Sequence, residues 1–146
     1  MKQEEFQKLC EKHGIKKEVI EFDILSIEKD AEFCKEVTKK VMKTFEDYAC
    51  MVESIIHPEQ TLAGMHENAV FSEQKQMELL ELFRKLMRVA REGEVVLLEQ
   101  KDFVEYINKG VEAWQSLKPE LVTMSKEIAN SWQTTKKLKE ELEYLG

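Results

Sequence analysis

A chain of 146 residues with a net charge of −7, 42% hydrophobic and 35% charged side chains, is of single-domain length and able to bury a core without staples. The acidic balance argues against a general nucleic-acid or anionic-membrane surface, since both demand a basic face. Five glycines and two prolines leave few turns, and abundant Glu, Lys and Leu without strand-like alternation predict an all-α fold. Three widely spaced cysteines, Cys10, Cys34 and Cys50, fit a reduced, cytoplasmic chain. The longest aliphatic run, Val95-Val96-Leu97-Leu98, is far too short for a membrane span.

In chain order, residues 2–12 read as a short amphipathic helix with Phe6, Leu9 and Cys10 on one side, closed by His13-Gly14. Such a helix is too short to stand alone in water and must dock. From Ile20, steps of four and three select Ile20, Ile24, Ile27, Ala31, Cys34, Thr38, Val41, Phe45, Tyr48, Val52 and Ile55, and only Thr38 is clearly polar. No Gly or Pro falls between Gly14 and Pro58. The pattern predicts one helix over residues 18–57, roughly 60 Å long at ~1.5 Å per residue. Pro58 ends it, because proline disfavours helical geometry in the residue before it.

Residues 58–71 follow as a linker with Gly64, His66 and apolar Leu62, Met65, Val70 and Phe71, longer than the about two to eight residues usual between bundle helices. Ser72-Glu73 is a capping start. A second seam then runs through Leu79, Phe83, Leu86, Ala90, Gly93, Leu97, Gln100, Val104, Ile107, Val111 and Trp114. Its phase survives Gly93, which predicts one helix over 72–117, with a break at Gly93 or Gly110 as the alternative. Pro119 suits the first position of a last helix, 119–144, carrying Leu121, Met124, Ile128, Trp132, Leu138, Leu142 and Leu145. The expected architecture is an elongated antiparallel three-helix bundle, coiled-coil-like, with a short extra N-terminal helix. A turn at Gly93 would make it a four-helix bundle.

Three constellations carry possible chemistry. Glu78-x-x-Glu81 is followed, seventeen residues on, by Glu99-x-x-Asp102, a spacing that resembles the magnesium signature of the all-α (MazG-like) nucleoside triphosphate pyrophosphohydrolases. The resemblance implies that the two acid pairs face each other from neighbouring helices, hold Mg²⁺ and support cleavage between the α and β phosphates. On one continuous helix the pairs would stand about 31 Å apart, so this reading needs a reversal near Gly93.

Cys50, Glu53 and His57, with Glu46 one step back, share a stripe of the first long helix, and His66 is close enough in sequence to fold back onto it. Thiolate, carboxylate and imidazole are acceptable Zn²⁺ ligands, though this spacing matches no strong zinc signature. Arg84, Arg88 and Arg91 form a cationic stripe suited to a phosphate or an acidic partner, or to local pairing with Glu81 and Glu92. Trp114, Trp132 and most Met and Phe residues sit at seam spacing and read as core or self-association surface, while Met51 and Met87, slightly off the seam, suit a partner groove. No Gly-rich phosphate loop, paired-histidine zinc motif or nucleophile with an identifiable base is present. The leading expectation is a non-catalytic protein that needs no cofactor and binds another protein or itself, as a possible homodimer.

Overall fold

The computed structural model describes residues 1–27 and 32–133, and among them every regular element is helical. In order these are α1 (Gln3–His13), 3₁₀ turns at Lys17–Phe22 and Ile24–Ser26, α2 (Phe33–Ile56), α3 (Leu62–Ala69), α4 (Glu73–Glu99) and α5 (Phe103–Ser131). Among the described residues the fold is an all-α helical bundle whose longest helices are α2, α4 and α5, with the expected short helix at its start. Two compact units share those helices: Met1–Asp47 with Leu86–Ser116, and Tyr48–Lys85 with Leu117 onward.

In the first unit the apolar face of α2 (Val37, Val41, Phe45), Leu86 and Ala90 of α4, and Ile107, Val111 and Trp114 of α5 form a dry core. Two glycines set how closely the helices approach. A Cβ on Gly110 would lie 2.7 Å from Val41 Cγ1, and one on Gly93 would lie 2.6 Å from the Tyr106 hydroxyl and 3.1 Å from Met42 Cβ. Gly93 therefore meets both neighbours, and the Tyr106 hydroxyl donates to Val89 O at 2.8 Å. Pairing of Met42 with Gly93 and Glu46 with Arg91 runs α4 against α2, while Val41 with Gly110 and Phe45 with Trp114 run α5 parallel to α2.

The N-terminal segment closes over this core. Gly14, with φ 72, ends α1 in the left-handed region that glycine tolerates best. Asn108 of α5 then clamps the chain, its Nδ2 donating to Gly14 O at 2.9 Å and its Oδ1 accepting from Lys16 N at 2.9 Å. The 3₁₀ turns place Val19, Phe22 and Ile24 inward. Phe22 packs on Phe45 and Trp114 with ring centroids 6.2 and 5.7 Å apart, and Trp114 Nε1 donates to Glu21 at 2.8 Å.

In the second unit Val52 and Ile55 of α2, Phe71 between α3 and α4, Leu79 and Leu82 of α4, and Leu121 and Met124 of α5 are buried. Thr61 caps α3, its hydroxyl accepting from Gly64 N at 3.0 Å. Asn68 ties α3 to α2 by donating to Ile55 O at 2.8 Å, and Gln76 of α4 donates to Asn68 O and Phe71 O. Ser72 caps α4, as its sequence implied, by accepting from Lys75 N at 3.2 Å.

Four boundaries differ from expectation. The forty-residue helix over 18–57 does not form: α2 begins only at Phe33, after 3₁₀ turns that join at Asp23 in a left-handed conformation (φ 59). Aspartate tolerates that region, so the stop needs no glycine. The linker 58–71 contains a helix, α3. The second long helix stops at Glu99, neither at Gly93 nor at Gly110, through a turn with Gln100 (φ 54) and Asp102 (φ 63) both left-handed. No helix starts at Pro119, which lies inside α5. Pro119 and Gln115, whose carbonyl loses its helical donor, are both exposed, so the missing bond falls where solvent replaces it. Leu138, Leu142 and Leu145 lie outside the described residues.

Gly110→Ala should destabilise by about 1–3 kcal/mol through overpacking against Val41. The double variant Gly110→Ala, Val41→Ala should recover part of that loss in a urea-unfolding cycle, and strictly additive losses would refute the contact. Gln100→Gly should stabilise by roughly 0.5–1 kcal/mol by relieving a left-handed residue at a helix end, read in the same assay.

Candidate functional site

The tight turn between α4 and α5 builds one end of the first unit and leaves beside it an open cleft of about 310 Å³. Val95, Val96 and Tyr106 provide its apolar part, and Glu92, Glu99, Asp102 and Glu105 ring it with a single cation, Lys109. Lys109 already pairs with Glu105 at 3.0 Å and Arg88 with Glu92 at 3.1 Å. Immediately beside the cleft α4 exposes two large aliphatic side chains one turn apart, Val95 at 51% and Leu98 at 84%. A helix end that is apolar on its outer as well as its inner face has surface to offer.

Tyr106 anchors the cleft from beneath and is 5% exposed. Burial first, and then the charge of Glu92, push its hydroxyl well above the ordinary 10.0, so it stays a neutral donor to Val89 O.

The acid pairs of the resemblance are not brought face to face. Glu99 and Asp102 line the cleft just described, whereas Glu78 and Glu81 lie near the start of α4, with no reversal in the helix between. Glu78 pairs with Lys75 at 3.3 Å. Glu81 receives Arg84 through both carboxylate oxygens, at 3.0 and 2.5 Å, and that guanidinium holds it below the usual carboxylate range.

The zinc candidates are dispersed as well. Cys50 and Glu53 are exposed on α2, and His57 is exposed just past its end. His66 is fully buried, 2.9 Å from the Ser131 hydroxyl and with its ring 4.1 Å from that of Trp132. Among the described residues no three His, Cys, Asp or Glu side chains gather in a way that would hold a metal ion.

The Arg stripe is consumed locally: Arg84 by Glu81, Arg88 by Glu92, and Arg91 by Glu94 and Glu46. Trp114 is core at 7% exposure, whereas Trp132, expected in the core or on a self-association surface, is 41% exposed. Met51 and Met87 are half-buried.

The polar cluster around His66 was not legible beforehand. Ser131 donates its one hydroxyl hydrogen to Ile128 O at 2.6 Å, so His66 Nε2 carries the hydrogen that Ser131 accepts. A serine spent in this way is a strut joining α3 to α5 rather than a nucleophile awaiting a base. Trp132 Nε1 donates to Glu67 at 3.0 Å and reinforces the same joint.

No helix among the described residues is long and apolar enough to cross a membrane. No family model, curated protein or solved structure matches the chain.

The Tyr106 environment predicts a pH dependence. Its folded pKa is raised, so the stability it brings is complete below the unfolded value and lost as pH rises past it. Above pH 10.0 unfolding should become easier by up to about 1.4 kcal/mol per pH unit from this group. Tyr106→Phe should start about 1 kcal/mol less stable from the lost hydrogen bond and show a shallower alkaline slope in urea unfolding. An unchanged slope would refute the assignment.

Proposed function

We propose that the chain is a non-catalytic helical-bundle protein that acts by binding another protein, with self-association as the second form of the same activity. The observation that carries this reading is the exposed ridge of Val95 and Leu98 beside an acid-rimmed apolar cleft. Four carboxylates and one lysine around Val95, Val96 and Tyr106 favour a partner segment that presents an apolar side chain flanked by Lys or Arg. Such a rim speeds and orients encounter, while the desolvated apolar centre supplies most of the affinity. Three free thiols fit the cytoplasmic setting expected for such a protein.

The paired charges elsewhere point the same way. Arg84, Arg88 and Arg91 are satisfied within the chain, which leaves that stripe little to offer a phosphate.

Leu98→Glu and Val95→Glu change exposed positions, so each should leave folding stability within about 0.5 kcal/mol. Each should weaken association at least about tenfold, about 1.4 kcal/mol. Light scattering of wild type and variants reads self-association, and a partner retained by wild type and lost by both variants reads heterologous binding. A monomer with no variant-sensitive partner would overturn the proposal. So would Mg²⁺-dependent nucleotide hydrolysis abolished by Glu81→Ala and by Asp102→Ala with helicity intact.

A further inference from the structure

The first unit holds a second feature, independent of the interaction reading. On α1, Phe6, Cys10 and His13 recur at helical spacing and share one face. Phe33, at the start of α2, lies across that face, its ring 6.4 Å from Phe6 in an edge contact and 6.1 Å from His13 in a stacked one. Cys10 stands between the two residues that Phe33 touches, and Cys34 follows Phe33 directly. Packed helices run with their axes about 8–10 Å apart, and the charge of Cys34 is felt at Cys10.

The two thiols differ in access. Cys10 is 1% exposed. Cys34 is half-buried and lines an open cleft of about 800 Å³ together with Leu9, Lys12, His13, Glu32, Lys35 and others.

We propose that Cys10 and Cys34 form an oxidation-sensitive thiol pair that a hydroperoxide converts to an intrachain disulfide by entering through this cleft. The Cys34 thiolate attacks the peroxide, taking one oxygen to become a sulfenic acid while the other leaves as alcohol or water. Cys10 sulfur then attacks Cys34 sulfur, the S–S bond forms, and hydroxide departs with the Cys10 proton as water. Two thiols and one hydroperoxide give one disulfide, one alcohol and one water. The two-electron oxidation of sulfur is matched by reduction of the O–O bond.

The order of attack follows from the surroundings. Burial pushes Cys10 up to about 11, the charge of Cys34 adds to the shift, and Lys17 opposes it. Cys34 is raised by burial alone. It is also flanked in the cleft by the cations Lys12 and Lys35, with His13 and Glu32. The accessible thiol therefore meets the peroxide first, and the buried one resolves it. Both are mainly protonated near neutrality, so the reaction is gated by pH rather than fast.

The test uses the full chain with Cys50→Ser, which removes the exposed competing thiol, and hydrogen peroxide as oxidant. Intact mass should fall by two hydrogens per chain, peptide mapping should join the Cys10 and Cys34 peptides, and dithiothreitol should reverse both changes. Cys34→Ser in this background should abolish the mass loss. Cys10→Ala, which keeps an apolar buried side chain, should stop at a sulfenic acid on Cys34 that dimedone traps. The rate should rise roughly tenfold per unit between about pH 7 and pH 9. Retention of both thiols in folded Cys50→Ser, a disulfide formed only between chains, or a flat pH profile would each overturn the pair.

Discussion

Close approach at two glycines governs the first unit. Gly110 lets Val41 reach where a Cβ would otherwise stand, and Gly93 does the same for Tyr106 and Met42. With those contacts in place the apolar faces of α2, α4 and α5 interlock around Val41, Phe45, Leu86, Ile107 and Val111, each at most 1% exposed. The Phe22, Phe45 and Trp114 rings pack in the same core, and Asn108 locks the chain entering from α1. A glycine inside a helix costs about 1 kcal/mol in propensity. Here that cost is offset by dense packing, which is why these residues read as breaks in the sequence and serve as contacts in the fold.

That reversal shows what was legible. Periodicity identified the helical class and much of the core: Val41, Phe45, Val52, Ile55, Leu79, Leu86, Ala90, Ile107 and Val111 were expected inside and are. It failed at chain reversals. Asp23, Gln100 and Asp102 turn the backbone through left-handed conformations without glycine, and the tolerance of aspartate for that region is too weak a signal to mark a stop by itself. The stretch from Val19 to Ile27 keeps apolar residues at intervals of three that a 3₁₀ turn and an α-helix both accept, so the pattern alone merged it with α2. Its true inward set is Val19, Phe22, Ile24 and Ile27, while Ile20 points out at 37% exposure.

The candidate surface was legible only as ingredients. Val95-Val96-Leu97-Leu98 stood out as the longest aliphatic run, and Glu99 and Asp102 as chemically interesting acids. Their meeting beside Tyr106 depends on a turn that the sequence concealed. Once that turn is placed, the same acids change meaning. Instead of facing Glu78 and Glu81, they rim an apolar cleft whose one lysine is already paired. Three of the rim acids are themselves paired, Glu92 with Arg88, Glu99 with Lys101 and Glu105 with Lys109, so the rim is a charged frame set beside uncovered apolar surface.

The N-terminal cover is held by contacts of a different kind. The 3₁₀ segment is fixed by directed polar bonds, with Asn108, Lys16 paired to Glu112 at 2.6 Å, and Glu21 with Trp114, whereas α1 meets α2 through the rings of Phe6, His13 and Phe33. Aromatic contacts permit small sliding that hydrogen bonds do not. A covalent link between Cys10 and Cys34 would reinforce the contact of α1 with α2 that these rings make by packing. It would close a chain loop between α1 and α2, so its main effect would fall on the unfolded ensemble and on the detachment of α1 rather than on the core beneath.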